Sequence, residues 1–114
     1  MKEKIKMANY RNKDTDLLVD AILTLDNRED CYRFLEDLCS AAEFREMSKR
    51  ILAAKMLRDG NIYTAIGSEI GLSTATISRV SRCLKFGDGG YNTVLANLEK
   101  KAVKDNKDNK DKDK

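Results

Sequence analysis

The chain has 114 residues, with 22 Lys or Arg, 19 Asp or Glu, a net charge of +3, three cysteines, and neither histidine nor proline. An odd number of cysteines (Cys31, Cys39, Cys83), none in Cys-x-x-Cys spacing and with no histidine beside them, excludes a zinc ligand set and reads as reduced, core-lining thiols of a cytoplasmic protein. No segment approaches the roughly 20 apolar residues of a membrane span, and no apolar stretch follows the N-terminus as a leader would require.

In chain order, residues 1–13 are polar and are expected to be a flexible N-terminus. Thr15 to Leu25 then sets Leu17, Leu18, Ile22 and Leu25 at helical spacing, a first amphipathic helix. A second is expected from Asp26, whose carboxylate can cap it while Glu29 reaches back, with Tyr32, Phe34, Leu35 and Leu38 on its buried side. Ser40-Ala-Ala-Glu43 is a capping box that starts a third helix. Phe44, Met47, Ile51, Ala54 and Leu57 form its stripe, and Gly60 ends it.

Two short helices follow, about Tyr63 to Ile70 and Thr74 to Phe86, joined at Gly71-Leu72-Ser73. Gly87-Asp88-Gly89-Gly90 is expected to be a flexible break before a last helix, Tyr91 to Val103, with Val94, Leu95 and Leu98 inward. Residues 104–114 contain only Lys, Asp and Asn, with nothing to bury, and are expected to be a disordered tail. The foldable part is thus one all-α domain over 14–103, with a core small enough to gain from oligomerisation.

The charge is unevenly spread: residues 1–44 carry seven basic and ten acidic groups, and residues 45–86 eight basic and three acidic. The positive segment holds a pattern that a helix-turn-helix needs. Ile66 and Ile70 are the apolar pair on the first helix, Gly67 the small contact residue, Gly71 the turn, Leu72 the corner plug, and Ile77 and Val80 the anchors of the second helix. Ser73 can cap that second helix, leaving Thr74, Ala75, Thr76 and Ser78 at its N-terminal end. Hydroxyls and methyls there suit base edges, while Arg79, Arg82 and Lys85, joined by Thr64 on the preceding helix, suit the phosphate backbone. A solvated pair of packed helices is the plainer interpretation of the same residues.

Gly71-Leu-Ser-Thr-Ala-Thr-Ile-Ser-Arg79 followed by Ser81-Arg-Cys-Leu-Lys85 resembles the reading-helix segment of the tryptophan repressor. With Asp30-Cys-Tyr-Arg-Phe34, Ala54-Lys-Met-Leu57 and Ser73-Thr-Ala-Thr-Ile-Ser-Arg-Val80, the chain resembles more closely the YerC/YecD group of tryptophan-repressor-related proteins, over about residues 14–99. The resemblance implies an intertwined all-helical homodimer whose two heads read a pseudo-palindrome in double-stranded DNA. It also implies a regulator, a repressor by family analogy, and candidate effector-binding residues Ser40, Arg50 (or Lys49) and Arg79. Where the repressor has a glycine after the second ligand arginine this chain has Val80, so free tryptophan is not expected to be its effector. The alternative is a protein-interaction or architectural module using the helix pair as a docking surface. An enzyme is not expected, because there is no histidine, no glycine-rich phosphate loop after a strand and no prominent acid pair.

Overall fold

A computed structural model describes residues 10–112, and side chains through 107. Among the described residues there are six helices and no strand: α1 (Lys13–Leu23), α2 (Arg28–Leu38), α3 (Ala41–Arg58), α4 (Tyr63–Ile70), α5 (Thr74–Phe86) and α6 (Gly90–Lys112). Among the described residues no helix is long and apolar enough to cross a membrane. Of the stretch expected to be a flexible N-terminus, residues 1–9 lie outside the described residues.

Local chemistry sets most of the boundaries. Asn12 accepts hydrogen bonds from the N–H groups of Asp14 and Thr15 while Thr15 returns one to the cap, so α1 starts at Lys13. The cap of α2 is Asn27, not Asp26 as expected: the extended Asn27 accepts from the Asp30 N–H at 2.8 Å and orients Asp26 through its own amide. Glu29 does not reach back to the cap; it pairs with Arg33 at 3.3 Å. The Ser40 box forms as expected, with the Glu43 N–H donating to the Ser40 hydroxyl at 3.1 Å and the Ser40 N–H donating to the Glu43 carboxylate at 2.8 Å.

Helix α3 is the axis of the packing. Its adjacent Ala53 and Ala54 are both fully buried, and each belongs to a different cluster. Ala53 packs with Ile66, Leu72 and Ile77 of the α4–α5 unit, and Ala54 with Val80 of α5 and Leu95 of α6. Small side chains let three helices approach α3 closely, and Leu57 bridges the two clusters. The link from α5 to α6 is tighter than a flexible break: the Asn92 amide donates to the Leu84 carbonyl at 3.0 Å and turns α6 back against α3. Arg58 at the end of α3 reaches Glu99 on α6 at 3.5 Å.

Helix α6 runs to Lys112 instead of ending at Val103, and, of the expected tail, residues 113 and 114 lie outside the described residues. After Gly90 no glycine or proline interrupts the chain, and helix propagation needs no buried face once a packed turn has nucleated it. Residues 97–107 are exposed throughout.

The apolar residues expected to be inward on α1, α2 and the start of α6 are, within one chain, largely outside. Leu17 is 72% exposed, Ile22 46%, Leu38 51% and Leu98 50%, and neither α1 nor α2 contains a buried residue.

The Glu43 carboxylate lies below its usual range because the Ser40 backbone N–H, and then the Ser40 hydroxyl, hydrogen-bond to it. A depressed folded-state value means stability present above the unfolded value of about 4.5 and lost as pH falls through the lower folded value. In acid titrations followed by circular dichroism, Glu43→Gln should flatten the dependence of stability on pH below about 4.5 and leave it unchanged near neutrality.

Candidate nucleic-acid interface

The α4–α5 unit has the arrangement anticipated for it. A Cβ on Gly67 would lie 3.2 Å from the Leu72 carbonyl and 3.6 Å from Ile77, so only a small residue admits this crossing. Gly71 ends α4 at φ 68°, a left-handed conformation that side-chain-bearing residues adopt at a cost of about 1–2 kcal/mol. Leu72 fills the corner, and Ile66, Ile77 and Val80 are almost fully buried.

With Ile77, Val80 and Leu84 turned inward, helical periodicity brings Thr74, Ala75, Arg79, Arg82 and Lys85 to the exposed side of α5. Thr64 on α4 and Ser73 at the cap are also exposed. Thr76 and Ser78 are half-buried instead of fully outward. The Ser73 hydroxyl accepts from the Thr76 N–H at 3.1 Å and shares a hydrogen bond with the Thr76 hydroxyl at 3.0 Å, so Thr76 supports the helix start. Among the described residues no carboxylate pairs with Arg79, Arg82 or Lys85.

The three residues expected to form an effector site are not gathered in one chain. Arg50 and Arg79 both act on the Tyr91 hydroxyl, whose pKa is raised by burial against the opposing influence of these cations. Tyr91 packs on the Ala54, Val80 and Leu95 cluster. A cavity of about 410 Å³ opens beside it, lined by Ile51, Arg79, Cys83, Asp88, Tyr91 and Val94 among others. Arg50 Nε is buried without a hydrogen-bond partner. Ser40 lies elsewhere, in a groove of about 650 Å³ between α2 and α3 that also holds Lys49. Lys49 lies with Ser40 in that groove, and Arg79 lines the cavity beside Tyr91.

Tyr91 and Cys83 line this cavity but are not among the site residues expected from the sequence. Cys83 is one helical turn beyond Arg79 and shares its face, a signal available from spacing alone, whereas Tyr91 reaches the cavity only because the link after α5 folds α6 back.

The profile of the family described as Trp repressor protein matches residues 13–99. The chain belongs to the tryptophan-repressor family. It is 46% identical over 91 residues to the uncharacterized protein YerC of Bacillus subtilis, covering 80% of this chain and 88% of YerC. Among solved structures it is similar to one provisionally assigned as a Trp repressor from Staphylococcus aureus, at TM-score 0.79 and 44% identity over 83% of this chain and 95% of that one. A TrpR-like protein from Eubacterium eligens superposes at TM-score 0.76 with 40% identity, over 80% of this chain and 94% of that one. Residues beyond 99, where α6 leaves the core, lie outside the family match.

Because Ser73 supplies the only side-chain cap of α5, Ser73→Ala should lower the free energy of unfolding by about 1 kcal/mol. Urea denaturation at one fixed protein concentration measures this, and an unchanged midpoint would mean that Thr76 suffices.

Proposed function

We propose that the chain is a sequence-specific DNA-binding transcriptional regulator, acting in the cytoplasm as a homodimer whose α4–α5 pairs are helix-turn-helix reading heads. The exposed face of α5 carries this reading. Thr74 and Ala75 stand at the helix end that enters a major groove, with the half-buried Thr76 and Ser78 behind them. Arg79, Arg82 and Lys85 follow on one side without acid partners, as phosphate contacts require. By family analogy the regulator is a repressor.

Dimerisation is supported by the apolar surface of α1, α2 and α6, which one chain leaves in water and a second copy can cover. A two-fold pair of heads reads a pseudo-palindrome with half-sites about one DNA turn, ~34 Å, apart. A docking module would use the same helix pair without dependence on the unpaired cations of α5.

Selection of genomic DNA fragments by the purified protein at near-physiological salt tests the proposal. A pseudo-palindromic motif should be enriched, and Arg79→Ala should lose it. Enrichment of nothing, or equal enrichment by the variant, would favour the docking module.

The cavity beside Tyr91 supports a second element, a site for a small effector held near Arg50 and Arg79. Val80 is almost fully buried against Ala54 and Leu95, in the place where the family's repressor keeps room for an indole ring. Free tryptophan is accordingly not its ligand: calorimetry should record no saturable heat, and micromolar binding would contradict the steric argument.

A further inference from the structure

Lys49 projects from α3, outside the helix pair that reads DNA, yet it ends at the turn inside that pair. A Cβ built on Gly71 would lie 3.9 Å from the Lys49 Nζ, closer than any other atom outside the turn. The ammonium therefore lies beside the left-handed residue that ends α4, two positions before the Ser73 cap of α5. Lys49 is half-buried, and among the described residues it has no ion-pair partner. Neither Glu46 on its own helix nor Glu69 beside the turn reaches it.

With no carboxylate in range, the ammonium of the half-buried Lys49 is free for another negative group to meet. Two groups can. One is the carbonyl end of α4, whose dipole favours a cation there by a few tenths of a kcal/mol to about one. The other is a DNA phosphate, because the N-terminal end of a reading helix enters the groove and the sugar-phosphate strand passes beside the turn that precedes it. The carbonyl end alone leaves the ammonium with donors to spare, since an ammonium carries three.

We infer that Lys49 is a phosphate anchor contributed by the core helix, which clamps the DNA strand next to the turn and so fixes the angle between reading head and core. The inference rests on the DNA-reading proposal and extends it to a residue that the helix-pair motif does not contain. Because a phosphate carries no base identity, Lys49 contributes affinity and register without sequence preference. Its contribution is electrostatic and must show in the salt dependence of binding, where each phosphate neutralised adds about 0.9 to the slope of log K against log salt.

The test is a salt titration of binding to an enriched site and to an unrelated duplex, for wild type, Lys49→Met, Lys49→Gln, Lys49→Arg and Arg33→Met. The slope should fall by about 0.9 per half-site in Lys49→Met and Lys49→Gln on both DNAs and return in Lys49→Arg. Between about 50 and about 200 mM salt, the advantage of wild type over Lys49→Met should shrink by about 3.5-fold per half-site. Arg33→Met removes a charge paired with Glu29 on α2 and should leave the slope unaltered. Parallel slopes for wild type and both neutral variants, with only stability changed, would make Lys49 a helix-end cation of α4 and overturn the inference while the DNA-reading proposal stands. If wild type binds neither DNA, both fall together.

Discussion

Two adjacent alanines on α3 make the rest of the arrangement possible. Consecutive helical residues point about 100° apart, so Ala53 and Ala54 face different neighbours, and both are small enough for those neighbours to come into contact with the α3 backbone. Ala53 seats the α4–α5 unit through Ile66, Leu72 and Ile77. Ala54 seats Val80 and Leu95, locking α5 and α6 to the same axis. A larger side chain at Ala53 would push the α4–α5 unit away from α3, and one at Ala54 would push away α5 and α6. The same packing orients the outer face of α5, since inward Ile77, Val80 and Leu84 leave Arg79, Arg82 and Lys85 no other side to occupy.

Most of this was legible because the governing interactions are local. Ser40 with Glu43, Ser73 before α5, and Gly71 at the turn each act within four residues, and each is found where its chemistry predicts. Where two local candidates compete, sequence alone is a weaker guide: Asp26 and Asn27 could both cap α2, and the choice falls to Asn27 because its amide also bonds to both flanking carboxylates. The course of α6 past Val103 was missed because composition reports the lack of a buried face and not the absence of a helix stop. Tyr91 was missed for a different reason. Its neighbours Arg50 and Arg79 lie on two other helices, and only the link held by Asn92 brings the three together.

The exposed apolar residues of α1 and α2 show how a periodic pattern can be read correctly while the surface that covers it lies outside the pattern. Their spacing makes them faces of helices, but within one chain little covers them. A sequence states that a stripe wants burial; it does not state which chain supplies the cover. The proposed two-fold dimer assigns that role to a second copy.

In the proposed dimer, two α5 helices fixed to a shared core read DNA as a pair. Hydroxyl-radical footprinting of the purified protein on an enriched duplex tests it most directly. Two protected patches centred about one DNA turn apart, ~34 Å, and related by a two-fold axis are expected, both lost with Arg79→Ala. A single patch, or protection that persists in the variant, would contradict it.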